Sequence, residues 1–197
     1  MICIHRTTPP DPVLAIASGI SSDDVAAIHS LVQQAPGVPE VQRQLERKFR
    51  GELGSCLIWA LVRMFGFARP VALQLIHRIS RREEQCSTGV GRGTAIPHTR
   101  TDLVSARMSG VLLFSNQAFD FESIDQEPIR TLCVDLAPFD PPGMSLRVDI
   151  DRTFLTILRD VDGAHDSASF QTAYTHRFRL QQPWQEEWVE PGGADWS

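Results

Sequence analysis

The sequence predicts one α/β layer domain of about 130 residues, preceded by an N-terminal extension. Two amphipathic helices, over residues 52–65 and 70–84, come before a glycine-rich stretch; their apolar residues repeat at i, i+3, i+4 and i+7. Two strand-like runs follow the glycines, at residues 108–114 and 129–136. The first run contains a continuous apolar segment, which is typical of a strand covered on both faces. Helices on both sides of such strands indicate a layered α/β fold.

Length, composition and charge narrow the class of protein. With 197 residues, 42% hydrophobic and 22% charged, the chain is long enough to bury one core. A net charge of −5 argues against a nucleic-acid binder. The four cysteines include no Cys-x-x-Cys pair, so we expect reduced thiols and a cytoplasmic protein. Apolar runs fall far short of the roughly 20 residues that a transmembrane helix needs, so no membrane insertion is expected.

The N-terminal extension, residues 1–47, is predicted to be helical after an irregular start. Residues 1–20 carry three prolines and little periodicity, so we interpret them as a mobile arm with a candidate edge strand at residues 13–17. Ser21 and the acids that follow it then form a helix N-terminus, with apolar residues at helical spacing behind them. Residues 40–50 are highly charged and predict a surface helix.

The C-terminal part predicts more helix and then a tail. An amphipathic stripe indicates a helix that begins near Asp149 or Asp151 and runs to Val161, and residues 167–174 predict a short last helix. The tail, residues 177–197, holds three of the four tryptophans. We interpret it as a loosely docked extension that follows a domain ending at residue 176.

The residues with the clearest chemistry lie in the stretch STGVGRGTAIPHTR, residues 87–100. Glycines let backbone N–H groups approach an anion closely. Pro97 presents the next residue on a rigid stem. His98 brings a ring nitrogen that is largely unprotonated near neutral pH and can act as a nucleophile. Arg92 and Arg100 bracket it with positive charge, and this combination indicates phosphoryl transfer to a histidine.

Other chemistries fit this stretch less well. A dinucleotide site needs a strand before the glycines, but a helix precedes them, and no G-K-[ST] ends the stretch as in a Walker A loop. The residues around His98 lack the spacing of metal ligands, and the chain has no G-x-S-x-G nucleophile motif. One plain alternative stays open, in which the glycines are only a tight connection in an α/β domain.

The string REEQCSTGVGRGTAIPH, residues 82–98, resembles the signature of a type 2 IIA domain of the bacterial phosphoenolpyruvate-dependent sugar phosphotransferase system. This type covers the mannitol, fructose and nitrogen-regulatory classes. The resemblance extends over roughly residues 48–175, through an Asp-Phe segment and a strand that ends in Ala-Pro. It implies a IIA-like phosphoryl-carrier domain over residues 48–176. The implied fold is a single mixed β-sheet of about five strands flanked by helices, here with an extra helical N-terminal extension.

The resemblance also implies a role for individual residues. His98 would accept a phosphoryl group from a histidine phosphocarrier protein and pass it to a IIB domain or a regulatory target. Arg82 would balance phosphate charge, and Ser87 and Thr88 would place hydroxyls near it. The tight phosphate loop would consist of Gly89, Gly91, Arg92 and Gly93. No metal or organic cofactor is implied, because the donor is itself a phosphohistidine.

The chain departs from the family pattern at two positions. Members commonly carry a second active-site histidine where this chain has Ser145, and a hydroxyl does not replace an imidazole as a charged partner. Arg92 stands where a small polar residue is usual, and we expect it to supply part of the missing positive charge. Two functions therefore remain: a phosphoryl carrier, or a IIA-fold regulatory or protein-interaction module with weak or no phosphoryl transfer.

Overall fold

The computed structural model describes residues 2–7, 13–34, 43, 52–114, 118–139, 171, 172, 175 and 184–190. The helices and strands that position the site are, in chain order, β1 (Ile2–Arg6), β2 (Val13–Ile20), α1 (Ser22–Gln34), α2 (Glu52–Trp59), a π-helical segment (Ala60–Met64), α3 (Arg69–Glu83), β3 (Gly89–Gly91), β4 (Thr94–Ala95), β5 (His98–Thr101), β6 (Met108–Phe114), β7 (Thr131–Pro138) and β8 (Gln185–Val189).

All these strands join one mixed sheet in the order β3-β4-β7-β6-β2-β1-β8, and β5 also pairs with β7. The β2–β6, β4–β7 and β5–β7 pairs are parallel. The β1–β2, β1–β8, β3–β4 and β6–β7 pairs are antiparallel. The predicted α/β class and mixed sheet are confirmed. The described part of the chain has eight strands instead of about five, because both termini add strands to the sheet.

The N-terminal residues differ most from the prediction. Residues 2–6 and 13–20 are not a mobile arm, since they form two strands of the sheet. β2 pairs with β1 on one side and β6 on the other, so it is an interior strand and not an edge strand. Ile4 and Ile16 are fully buried. The local sequence pattern did not predict an ordered interior strand here, because β2 is stabilised by β6, a strand that begins at Met108.

The C-terminal tail also contributes a strand. β8 pairs antiparallel with β1, so this part of the predicted loosely docked extension belongs to the sheet. Two ion pairs link the strands: His5 Nδ1 lies 3.5 Å from Glu186 Oε1, and Arg6 Nη2 lies 3.1 Å from Glu187 Oε2. The helices predicted at residues 40–50, 149–161 and 167–174 lie almost entirely outside the described residues.

The helices α1, α2 and α3 share one hydrophobic core with the sheet, which includes Leu57, Leu75, Leu112 and Val134. Both helices predicted before the glycines are confirmed, because α2 with its π-helical segment and α3 occupy those positions. Trp59 lies off the predicted apolar stripe but is fully buried. Within the described ranges, no helix is long and apolar enough to cross a membrane.

Candidate functional site

The backbone of His98 is held by the central strand β7. Residues of β4 and β5 keep one register beside β7, from Thr94 opposite Thr131 to His98 opposite Asp135. Between these strands, the carbonyl of Pro97 accepts a hydrogen bond of 3.1 Å from the backbone N–H of Asp135. Pro97 is buried, and His98 begins β5. The sheet therefore fixes the position from which the imidazole projects.

The imidazole of His98 is half-buried and makes one defining contact. Its Nδ1 lies 2.9 Å from the carbonyl oxygen of Ile96. A carbonyl oxygen only accepts hydrogen bonds, so Nδ1 carries the proton in this arrangement. The lone pair of the neutral ring is then on Nε2. This nitrogen is the nucleophilic atom that the site offers.

A buried carboxylate lies behind the imidazole. Glu83, the last residue of α3, is fully buried. It accepts a 3.0 Å hydrogen bond from the backbone N–H of Thr88 and another from the Thr88 hydroxyl. Burial raises the pKa of the Glu83 carboxyl above its ordinary value, while the Thr88 hydrogen bonds and the charges of Arg82 and His98 act in the opposite direction. Glu83 and His98 are therefore close enough for their charges to interact.

Glu83 is not among the site residues predicted from the sequence, although its position on the apolar stripe of α3 marks it as unusual. The buried positions of α3 include Ala72, Leu75, Ile76 and Ile79. Glu83 follows Ile79 by four residues and Ile76 by seven, so it continues the apolar stripe. An acid at a buried position is rarely tolerated without partners, and such a position predicts a polar contact in the fold.

The chain from Cys86 to Thr88 runs toward His98. Ile96 donates its backbone N–H to the carbonyl of Thr88 (3.0 Å), and Gly89 lies opposite Ala95. Thr88 therefore lies beside Ile96, which precedes His98 by two residues. Arg82 Nη1 donates to the carbonyl of Cys86 (3.0 Å). These contacts attach Arg82 to the segment before Thr88, and Thr88 to the stretch that contains His98. A role for Arg82, Ser87 and Thr88 around His98 stays a prediction.

Both predicted hydroxyls are hydrogen-bonded within the protein. Ser87 Oγ donates to the carbonyl of Phe121 (3.2 Å) and accepts from the backbone N–H of Gly89 (3.3 Å). The Thr88 hydroxyl donates to Glu83. These contacts fix the segment that precedes the glycines, and they orient the Glu83 carboxylate.

The glycine run forms a tight hairpin between β3 and β4. Gly91 lies opposite Thr94, and the two residues between them have positive φ, 53° at Arg92 and 67° at Gly93. Two left-handed residues in a two-residue loop are typical of a type I′ turn. The carbonyl of Gly93 accepts hydrogen bonds from the backbone N–H groups of Arg130 (2.7 Å) and Thr131 (3.0 Å). The turn is thereby attached to the start of β7.

Close packing explains two further glycines of the predicted phosphate loop. A Cβ atom at Gly89 would lie 2.3 Å from Ser123 Oγ and 2.8 Å from the Ser123 Cα atom. At Gly91, a Cβ atom would lie 2.9 Å from Asp125 Oδ2. The backbone therefore approaches residues 123–125 more closely than a side chain would allow. Anion binding by these glycines remains a prediction.

The structure does not bring Arg92 to His98. The turn that contains Arg92 is bonded to the start of β7 at Thr131, whereas His98 lies opposite Asp135. At about 3.3 Å per residue, these positions on β7 are about 13 Å apart. Arg92 is also exposed. The geometry thus gives no support to Arg92 as a replacement charge beside His98, and Ser145 lies outside the described residues.

Metal ligation has no support in this region. Among the residues that the structure describes, no group of three or more His, Cys, Asp or Glu side chains is arranged to hold a metal ion. The gathered groups are an imidazole with a lone pair on Nε2, a guanidinium and a buried carboxylate.

Comparison with known proteins gives the same family as the motif. Residues 57–148 match the family described as phosphoenolpyruvate-dependent sugar phosphotransferase system, EIIA 2. A fructose-specific EIIA component of this system from Haloferax volcanii is 39% identical over 57 residues, which are 29% of this chain and 36% of that protein. Nitrogen regulatory proteins from Klebsiella oxytoca and Escherichia coli are 37% identical over 62 residues, which are 32% of this chain and 38% of those proteins.

The matched segment thus spans less than two fifths of each of these curated relatives. A crystal structure of the nitrogen regulatory protein IIA-Ntr from Neisseria meningitidis is similar with a TM-score of 0.41 and 22% sequence identity. That similarity covers 64% of this chain and 82% of the other. The resemblance indicated by residues 82–98 is confirmed by the family match.

Proposed function

Because residues 57–148 match the type 2 EIIA family of the sugar phosphotransferase system, we propose that this chain accepts a phosphoryl group on Nε2 of His98. The donor is the phosphorylated histidine of a phosphocarrier protein. One observation carries the proposal: the contact between His98 Nδ1 and the carbonyl of Ile96 leaves the lone pair of the ring on Nε2. The half-burial of the ring leaves part of it accessible to a partner.

The transfer balances without a cofactor. The Nε2 lone pair of His98 forms a bond to the donor phosphorus, and the donor N–P bond breaks, its electron pair returning to the donor ring. The Nδ1 proton of His98 stays on the ring, hydrogen-bonded to the Ile96 carbonyl, so the product is a phosphorylated imidazolium. The donor, an imidazolium while phosphorylated, leaves as a neutral imidazole. Charge and protons are therefore conserved between the two rings.

Charged side chains would stabilise both the His98 ring and the phosphoryl group that are joined by the new N–P bond. The Glu83 carboxylate favours the positive charge that develops on the His98 ring. Arg82 donates to the carbonyl of Cys86, two residues before Thr88, and this contact supports a role for its charge on the phosphoryl side of the ring. Phosphoryl transfer depends mostly on such positioning and charge stabilisation.

The test is phosphorylation by a phosphoenolpyruvate-driven phosphocarrier chain, followed by ³¹P NMR and by the acid lability of the product. We expect one acid-labile, alkali-stable phosphoryl group on the wild-type protein. His98→Ala should abolish it. His77→Ala is the matched control, since His77 is exposed on α3, and it should be labelled like wild type. A label that survives in His98→Ala, or no label on wild type, refutes the proposal.

A second candidate function is supported by the relatives named nitrogen regulatory proteins. In this case the phosphoryl group on His98 is a switch for binding a target, and transfer to a IIB domain is weak or absent. The absence of a histidine at Ser145 is consistent with that role. Discharge of the labelled protein by a fructose-type IIB domain separates the two functions: rapid loss of label indicates a carrier, and retained label indicates a regulatory module.

A further inference from the structure

A polar cluster lies on the same face of the sheet as His98. Strand β7 runs between β5 and β6, and Asp135 lies opposite His98 on one side and Ser109 on the other. Residues in register on neighbouring strands direct their side chains to the same face, and the strands are about 4.8 Å apart. His98, Asp135 and Ser109 therefore form one row across three strands.

The carboxylate of Asp135 is buried and accepts hydrogen bonds from two side chains, those of Arg107 and Ser109. Asp135 is only 6% exposed. Arg107 binds it with two contacts, Nε to Oδ1 at 3.0 Å and Nη2 to Oδ2 at 2.7 Å. Ser109 Oγ donates to Oδ1 at 2.7 Å. A buried carboxylate with a planar two-point arginine contact holds that guanidinium in one orientation.

The position of Arg107 places its charge at the carboxyl end of β7. Met108 lies opposite Leu136, so Arg107 comes level with Ala137, one position further along the strand. Arg100 lies opposite Ala137 from the other side. The methyl group of Ala137 thus separates two arginines, in the row next to His98 and Asp135. Two arginines therefore lie on the His98 face of the sheet, and the guanidinium of Arg107 is paired with Asp135.

Asp135 without Arg107 would oppose the proposed reaction. A carboxylate on the neighbouring strand, where the backbones are about 5 Å apart, repels an incoming phosphoryl group, and burial strengthens that repulsion. With Arg107 bound, the pair is neutral, and the guanidinium presents a rigid set of N–H donors next to the acceptor. Hydrogen-bond donors for the phosphoryl oxygens are therefore available from the other side of β7.

We propose that Arg107 contacts the phosphoryl group on His98 and that Asp135 is the positioning residue that holds Arg107 for this contact. This inference rests on the proposed function of His98. The competing explanation is a purely structural ion pair, in which case loss of the pair changes the stability of the fold but not the phosphorylation of folded protein.

The test uses potassium phosphoramidate, a small donor that phosphorylates histidine without a partner protein, and follows the rate by ³¹P NMR. Arg107→Met alone leaves Asp135 uncompensated, so the informative variant is the double substitution Asp135→Asn with Arg107→Met, which removes both charges. We expect phosphorylation about 100-fold slower than wild type in the double variant. Asp135→Asn alone should be about 10-fold slower, because Arg107 is retained but not held.

Arg78→Met is the control, because it also removes an arginine from an ion pair, the more exposed one with Asp102 (2.7 Å) between α3 and the residue after β5. It should be phosphorylated at the wild-type rate. All rates are measured at a temperature at which circular dichroism shows each variant folded. A double variant that reacts at the wild-type rate overturns the role of Arg107 and leaves the proposed function of His98 intact. A wild-type protein that takes no phosphoryl group from either donor overturns both.

Discussion

At the scale of single residues, the site depends on charges placed around one imidazole. The Ile96 carbonyl selects the ring nitrogen, and Glu83 lies within electrostatic range of the ring. Glu83 is itself held by Thr88. A carboxylate that is fully buried is unfavourable unless its hydrogen bonds are made, so the Thr88 contacts contribute to stability as well as to the chemistry.

Glu83→Gln should change both the pH dependence of folding and the reaction. Because burial raises the pKa of Glu83 in the folded state, folding is favoured when the group is protonated. Wild-type stability from this group is therefore lost as pH rises from the ordinary glutamate pKa, about 4.3, through the raised folded value. The free energy of unfolding in urea, measured from acidic to neutral pH, should not show this Glu83-dependent fall in the Glu83→Gln variant. An unchanged profile contradicts the expectation.

The same variant should be phosphorylated about 10-fold more slowly, because the imidazolium loses its counter-charge. The phosphoramidate assay measures this rate. Glu84→Gln is the control, since Glu84 is the next residue but is exposed, and its rate should equal that of wild type. Equal rates for Glu83→Gln and Glu84→Gln refute the role of Glu83 in the reaction.

Thr88→Val should destabilise the fold by about 1–3 kcal/mol, because it removes a hydroxyl donor from a buried carboxylate. Thr88→Ser keeps the donor and is the matched control. The free energy of unfolding in urea at neutral pH measures the difference. If valine and serine variants are equally stable, the hydroxyl contact with Glu83 does not stabilise the protein.

At the scale of elements, the β3–β4 hairpin connects the α3 end of the site to β7. Its glycines are explained by the turn at Arg92 and Gly93 and by contact with Ser123. The pairing also continues to Thr88, whose carbonyl accepts the backbone N–H of Ile96. The glycine pattern predicts a phosphate loop from the sequence. In the structure, the backbone geometry of the β3–β4 hairpin already requires these glycines.

Gly89→Ala should destabilise the protein by about 1–3 kcal/mol, because the added methyl group overlaps both the side chain and the backbone of Ser123. Arg92→Asn is the control in the same hairpin. Asparagine tolerates the positive φ of a type I′ turn, so the free energy of unfolding should not fall. Thermal and urea unfolding measure both variants. A Gly89→Ala protein as stable as wild type contradicts the close packing.

At the scale of the whole molecule, the termini complete the sheet on which the site is built. Strands β1 and β2 extend the sheet beyond β6, and β8 adds an outer strand that is paired through β1. The division at residue 47 that the motif suggested is therefore crossed by the sheet. Side chains of β1 and β2 share one hydrophobic core with the helices.

A chain that begins at residue 48 should fail to fold cooperatively, because it lacks β2 and exposes the buried edge and faces of β6. A chain that ends at residue 183 loses β8 with its contacts to His5 and Arg6, the buried Val189 and the Trp184–Thr175 hydrogen bond. It should still unfold cooperatively, at a lower urea midpoint. Urea unfolding followed by circular dichroism compares the two. A stable, cooperative protein from residue 48 onward supports the division predicted from the sequence.

The sequence by itself determined the acceptor stretch and the elements next to it. Periodicity over a few turns predicts α2 and α3, and continuous apolar residues predict β6. The string around His98 resembles the family whose model matches residues 57–148. These signals are local, since each depends on residues close together in the chain. The family resemblance and the helices next to His98 were therefore predictable, while the role of His98 stays a prediction.

Only the tertiary structure decided how distant segments meet. Strand pairing between residues far apart in sequence puts β2 in the interior of the sheet and aligns His98, Asp135 and Ser109 in one row. Helix packing against the sheet buries Glu83. Register selects which side chains share a face, and a shift of one residue would place Asp135 on the opposite face from His98. No local pattern contains that information, because pairing energy comes from the partner strand.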